Sequence, residues 1–133
     1  MKIIVIDNDP LILSMLKQWL CFKGHTVLTY SSPLECPSYQ TKGCPCTDTE
    51  PCPELIISDY DMPEVNGYDL VKHLHDKGCH CASKCAIITG HDLLDLDLDR
   101  FATLGIRLFR KPFPFHELDC WLRQASSSAV APG

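Results

Sequence analysis

Leu55-Ile56-Ile57-Ser58-Asp59-Tyr60-Asp61-Met62-Pro63-Glu64-Val65-Asn66-Gly67 decides how the rest of the chain is read. It opens as an apolar, strand-like run and ends that run on a carboxylate, Asp59, followed by a proline and glycine turn. A carboxylate at the mouth of a buried strand is placed to do chemistry. The same arrangement recurs elsewhere. Asp7 and Asp9 flank Asn8 just after Ile3 to Ile6, Thr89 follows Ala86-Ile87-Ile88 and precedes Gly90, and Lys111 follows Ile106 to Phe109 and precedes Pro112. Parallel strands in an open α/β sheet expose such carboxyl ends at one crevice, where ligands bind. The chain therefore brings acids, one hydroxyl and one ammonium together.

Between these runs the apolar spacing turns helical. Pro10 suits the first position of a helix over residues 10–23, in which Ile12, Leu13, Leu16, Trp19 and Leu20 recur at helical spacing until Gly24. Thr26 to Tyr30 is predicted as a second strand, with Ser31 or Ser32 capping a second helix that starts at Pro33. Pro37, Gly43, Pro45, Pro51 and Pro53 crowd the next segment, which predicts a shortened helix and an irregular loop. Residues 55–58 form the third strand, 67–77 a helix stopped by Gly78, and 84–89 the fourth strand. Leu93, Leu94, Leu96, Leu98, Phe101 and Leu104 alternate with aspartates at 92, 95, 97 and 99, read as an acidic amphipathic helix closed by Gly105. A fifth strand and a helix from about Pro114 to Gln124 follow, the latter carrying Leu118, Trp121 and Leu122 inward. Five strands alternating with five helices imply an α/β fold with a doubly wound parallel sheet and helices on both faces. The expected division is one domain over residues 1–125 and a flexible tail over 126–133.

The bulk properties exclude several functions. A chain of 133 residues holds one ordinary core and not two comfortable domains. The net charge of -5, with scattered lysines and arginines, argues against direct nucleic-acid binding. No apolar stretch reaches the ~18 residues of a membrane span, and Met1-Lys2 leads straight into a strand, so a cytoplasmic protein is expected.

Nine cysteines are unusual for such a domain. Cytosolic disulfides are rare, so metal or reduced thiols are considered first. Cys36, Cys44, Cys46 and Cys52 precede the third strand, and Cys79, Cys81 and Cys85 precede or open the fourth. Loops that enter strands lie at the amino end of the sheet, so the cysteine-rich loops over 36–54 and 78–85 should meet on the side opposite Asp59. Cys44, Cys46, Cys52, Cys79, Cys81 and Cys85, with His80 nearby, would suffice for one tetrahedral zinc, or two sharing sulfurs. An iron-sulfur cluster and redox-active thiols are the alternatives. Cys21 and Cys120 are expected as small buried residues. His25, His73, His75, His91 and His116 are read as surface or structural.

From Lys2 to about Gln124 the chain resembles the receiver domain of two-component response regulators. The resemblance rests on Asp59 with Met62-Pro63 and Gly67, on Thr89-Gly90, on Lys111-Pro112-Phe113, and on the acids at 7 and 9. It implies a flavodoxin-like sheet of order 2-1-3-4-5. It further implies that Asp59 takes a phosphoryl group from a histidine kinase or phosphotransfer protein, assisted by Thr89 and Lys111, and signals through a downstream protein. The resemblance assigns Mg2+ to Asp7, Asn8, Asp59 and the backbone carbonyl of Asp61, with Asp9 as a further candidate that could instead cap the first helix. Two positions depart from the family pattern. Asn8 stands where a second acid more often touches the metal, which predicts weaker magnesium binding. Leu108 stands where many receivers carry an aromatic switch residue, with Phe109 on the opposite face. The output surface is expected within residues 91–115.

Two other functions compete with this one. The first is a degenerate receiver in which the cysteines sense metal or redox state and Asp59 is idle. The second is an enzyme of the haloacid-dehalogenase type, whose nucleophile would lie in Asp7-Asn8-Asp9 on the first strand. The latter is disfavoured because only that triplet matches.

Overall fold

The computed structural model describes residues 1–40, 53–78, 84–92, 96–111 and 115–129. Strands β1 (Lys2–Ile6), β2 (Thr26–Tyr30), β3 (Leu55–Asp59), β4 (Cys85–Thr89) and β5 (Ile106–Arg110) form one all-parallel sheet of order β2-β1-β3-β4-β5. Helices α1 (Pro10–Phe22), α2 (Pro37–Gln40), α3 (Gly67–Asp76), α4 (Leu98–Thr103) and α5 (Phe115–Ala129) alternate with them. The expected doubly wound, flavodoxin-like architecture is present.

The pleat divides the core in two. Ile4, Ile6, Ile56 and Ile87 point to one face and pack with Leu70, Leu74 and Phe101 of α3 and α4. Ile3, Val5, Ile57, Ile88 and Phe109 point to the other and pack with Leu16, Leu20, Leu118 and Leu122 of α1 and α5. Because side chains alternate along a strand, β1, β3 and β4 need apolar residues at almost every position to fill both layers. This explains their continuous Ile, Val and Leu runs.

Polar residues set the helix starts. Asp9 Oδ1 accepts the Leu11 amide at 2.9 Å, Ser32 Oγ accepts the Leu34 amide at 3.2 Å, and Asn66 Oδ1 accepts the Asp69 amide at 2.8 Å. Among the described residues the second helical segment is a single 3₁₀ turn over Pro33–Glu35 and then α2; most of the remaining stretch expected as a shortened helix and irregular loop, residues 41–52, lies outside the described residues. Gly24, Gly78 and Gly105 take φ of 92°, 74° and 72° where α1, α3 and α4 end, which a side chain would resist.

Four expectations need correction. The acidic helix was expected across 92–104, but α4 begins only at Leu98, while His91, Asp92, Leu96 and Asp97 are non-helical. Strict alternation of leucine and aspartate has a period of two, which scatters apolar groups around a helix instead of gathering them on one face. Asp97 also makes no side-chain capping bond. At the other end, α5 was expected to stop near Gln124 but continues to Ala129, and Ala125 is buried against the α1 layer. That buried alanine gives the added turn a packing partner, and no glycine or proline interrupts it. Cys21 and Cys120, expected to be buried, are both exposed. Each follows an inward or half-buried residue by one or two positions, and a rotation of 100° per residue carries it off the packed face.

Gly67, at the start of α3, binds the fold to Asp59. A Cβ there would lie 2.7 Å from the Asp59 carbonyl oxygen, 3.2 Å from Tyr60 Cα and 3.3 Å from Ile87 Cδ1. Gly67→Ala should therefore cost about 1–3 kcal/mol of stability through overpacking. Urea denaturation checks this, and a loss below about 0.5 kcal/mol would show that the β3 terminus yields freely.

Candidate functional site

The registers align the carboxyl ends of four neighbouring strands, β1, β3, β4 and β5. Ile6 pairs with Ser58, Asp59 with Ile88, and Thr89 with Arg110. Asp7, Asp59, Thr89 and Lys111 consequently emerge at one end of the sheet. Backbone bonds hold the emerging loops: Tyr60 N–H donates to Ile88 O at 2.9 Å, and Lys111 N–H donates to Thr89 O at 2.7 Å. Gly67 N–H folds the loop back onto Tyr60 O at 2.9 Å.

Asp7 and Asp59 are each only 4% exposed, and Thr89 is fully buried. The Lys111 ammonium lies 3.2 Å from Asp59 Oδ1, an ion-pair distance. That oxygen nevertheless receives no well-aligned hydrogen bond and is the single unsatisfied buried side-chain oxygen or nitrogen among the described residues. The contact with Lys111 is thus a charge attraction at an unfavourable angle. Asp7 is held by the Asp9 amide, which donates to its Oδ1 at 2.8 Å.

The electrostatics follow from burial. Desolvation raises the Asp7 carboxyl from 3.8 to about 6, with the Asp59 charge adding to the rise and the Asp9 amide opposing it. Desolvation also raises Asp59, opposed chiefly by Lys111. Two carboxylates share one ammonium in a site largely withdrawn from water, and that imbalance invites a further cation.

The other acids have different work. The Asp9 side chain caps α1, so the capping role considered for it is the one observed. Asn8 is exposed. The Asp61 carboxylate turns to His91, whose Nε2 lies 2.9 Å from Asp61 Oδ1. His91 N–H also donates to Thr89 Oγ1 at 3.0 Å, and its ring meets Tyr60 edge-on at 5.7 Å. The sequence reading assigned His91 no part in the site. Its position two residues beyond Thr89, on a loop at the same end of the sheet as Asp61, was the available signal.

Magnesium is tested by this donor set. Among the described residues no group of three or more His, Cys, Asp or Glu side chains is gathered tightly enough to hold a metal unaided. Magnesium asks for less, since it keeps several waters and takes one or two carboxylates plus phosphate oxygens. The orphaned Asp59 oxygen beside buried Asp7 fits that requirement. The cysteine proposal fares differently. Cys44, Cys46, Cys52, Cys79 and Cys81 lie outside the described residues, while Cys85 is buried in the core layer beneath α3 and α4. Nothing among the described residues supports a zinc site or a cysteine-based sensor.

The sequence pattern of the family described as the response regulator receiver domain matches residues 3–122. The chain belongs to the receiver domains of two-component response regulators, signalling domains that receive a phosphoryl group from histidine kinases or phosphotransfer proteins. It is 27% identical over 124 residues to the C4-dicarboxylate transport transcriptional regulatory protein DctD of Pseudomonas aeruginosa, covering 93% of this chain and 25% of that protein. The crystal structure of a response regulator receiver domain protein from Clostridium thermocellum superposes with a TM-score of 0.75 at 27% identity, covering 96% and 95% of the two chains. The Vibrio cholerae chemotaxis protein CheY4 shares the fold, with a TM-score of 0.73 at 20% identity over 93% and 97% of the chains. Among the described residues no helix is long and apolar enough to cross a membrane.

Burial of Asp7 has a measurable cost. A carboxyl whose folded pKa lies above its unfolded value is penalised as pH rises from about 4 to 6, and the penalty stays constant above that. Asp7→Asn keeps the acceptor for the Asp9 amide and removes the charge. In chelator-containing buffer it should stabilise the protein at pH 7.5 by about 1–3 kcal/mol, and far less at pH 4. Urea denaturation at both pH values checks this, and an equal gain at each would exclude charge burial as the cause.

Proposed function

We propose that Asp59 is the phosphoacceptor, and that the buried, unsatisfied Asp59 oxygen facing Lys111 is the observation that carries this reading. An Asp59 oxygen attacks phosphorus as the bond to the phosphohistidine nitrogen breaks, and the electron pair leaves with the imidazole. Asp7, Asp59 and the backbone carbonyl of Asp61 would hold Mg2+, which shields phosphoryl charge when bound. Lys111, already 3.2 Å from Asp59, would follow the added charge as a point cation. The Thr89 hydroxyl, now accepting the His91 amide, would donate to a phosphoryl oxygen. Gly90 leaves space for the donor.

The signal then needs a route outward. Leu108 is half-buried on the α3 and α4 side, and Phe109 is buried on the opposite one, so position 108 offers no ring to swing inward. Aromatic contacts next to Asp59 supply another path. Tyr60 packs 6.0 Å from Phe101 of α4, Phe101 lies 5.1 Å from Tyr68, and the Arg100 guanidinium sits 3.8 Å over the Tyr68 ring. A phosphoryl group that draws Thr89 and the His91 loop inward would shift Tyr60 and with it α4. The output surface is then α4 and its neighbours, within the expected span of 91–115. The phosphoryl donor is proposed to approach along α1, where Leu11, Met15 and Phe22 are exposed and line a recess of about 650 Å³ with Phe115. Leu11 lies in the first turn of that helix, next to the site. The partner is a protein, which suits a domain that signals by contact.

Asp59→Asn should abolish base- and hydroxylamine-labile phosphate uptake from a small phosphodonor or a phosphorylated histidine partner, with far-UV circular dichroism unchanged. Labelling that survives in this variant but disappears in Asp7→Asn would overturn the assignment and point to the first strand. A further prediction concerns Asn8, which offers an amide where a charge would help. Asn8→Asp should tighten Mg2+ binding roughly tenfold, the gain expected from one more anionic ligand. Quenching of intrinsic fluorescence or isothermal titration reads this, and an unchanged affinity would show that position 8 does not face the cation.

A further inference from the structure

Cys120 lies on the exposed face of α5, and its Sγ is 3.9 Å from His116 Nε2 one turn earlier. The two side chains share a recess of about 240 Å³ with Arg107, Glu117, Trp121 and Gln124. Arg107 lies near the amino end of β5, whereas Lys111 follows its carboxyl end, so this recess is at the other end of the strand from the acidic site. It brings together a thiol, an imidazole, a guanidinium and a carboxylate, and the phosphoacceptor chemistry uses none of them.

From this arrangement we propose that Cys120 is a thiol-modification site that exchanges with small disulfides whose halves are zwitterionic amino-acid thiols. His116 takes the thiol proton, and the Cys120 thiolate attacks one sulfur of the incoming disulfide. A new S–S bond to Cys120 forms as the old one breaks, and the departing thiolate recovers the proton from the His116 imidazolium. Atoms and electrons balance, with the small disulfide as the oxidant. Arg107 pairs with the carboxylate of the retained half, Glu117 with its ammonium, and the Trp121 ring supports its carbon chain. Glutathione disulfide and cystine both present this chemistry. The site uses none of the cysteines at 44, 46, 52, 79 and 81, and its chemistry coexists with phosphorylation of Asp59.

The protein supplies its own control. Cys21 is also an exposed helical cysteine, on α1, and His25, four residues on, lies beyond the end of that helix, its Nδ1 3.0 Å from the Met1 amino group. The intact chain would be incubated in turn with glutathione disulfide, cystine and cystamine, and adducts at each cysteine quantified over time by peptide mass spectrometry. Cys120 should react at least roughly tenfold faster than Cys21 with one or both zwitterionic disulfides, as a thiol beside a base should. That advantage should shrink in His116→Ala, and Arg107→Ala should lose the preference for the zwitterionic reagents over cystamine. Reaction with only one of the two reagents identifies the source of the adduct. Equal rates at Cys120 and Cys21, or a Cys120 rate unchanged in His116→Ala, would overturn the proposal, whatever happens at Asp59.

Discussion

Two carboxylates withdrawn from water at the carboxyl ends of β1 and β3, with one half-buried ammonium following β5, are the constraint around which the fold is arranged. Asp7 and Asp59 are each 4% exposed, and Lys111 reaches only one of them. Burying charge with incomplete compensation is costly, and the raised carboxyl of Asp7 is the visible sign of that cost. The hydrophobic layers above and below the sheet must offset it. They do so through strands that are apolar on both faces, which is the composition that first marks the chain as a parallel α/β protein. Stability and function therefore pull together on β1 and β3, which lead to both buried carboxylates and carry the doubly apolar core. An incoming divalent cation and phosphoryl group would complete the charge balance that the protein alone leaves open.

Much of this was readable in advance because parallel strands couple chemistry to pattern. Each apolar run ended on a residue unlike it, Asp7, Asp59, Thr89 or Lys111, and the registers confirm that those ends coincide. Two helix starts were legible for a similar reason, since Asp9 and Ser32 stand where an orphan amide needs an acceptor, whereas the Asn66 cap of α3 was not anticipated. What escaped the sequence reading depends on contacts between distant segments. The Asp61 carboxylate could have faced a metal, and only the fold shows it meeting His91 across two loops. The extent of α5 depends on Ala125 finding a place against α1, which composition does not reveal. The start of α4 was misjudged for a local reason, because a two-residue alternation was read as a helical face.

The Asp61 and His91 contact changes how the acidic site should be viewed. Asp61 is committed to a side-chain partner, so its carboxylate is turned toward the rim of the crevice. Asp9 is committed to α1. Of the acids in the two motifs, Asp7 and Asp59 are left as the buried anionic pair. With Asn8 contributing no charge, the site is electrostatically leaner than its sequence, rich in aspartates, suggests. Under the proposed function, such a site would bind a cation more weakly and lean on the phosphoryl group itself to complete the coordination.

The same economy bears on the path from the site to the surface. A ring at position 108 would have to pass between β5 and the α4 layer, but Leu108 fills that place with a side chain that has no polar tip to carry outward. Tyr60 instead stands immediately after Asp59, in the same backbone segment that Gly67 pins against β3. Its contacts with His91 and Phe101 span the loop that Thr89 anchors and the helix that follows. A displacement at Thr89 therefore need not cross the sheet to be felt at α4. It has to move one loop against one ring. α4 is only six residues long, and Phe101 is its buried residue, joined by the Arg100 guanidinium over the Tyr68 ring. A short helix whose buried side chain meets Tyr60 directly is well placed to respond to a small change beside Asp59.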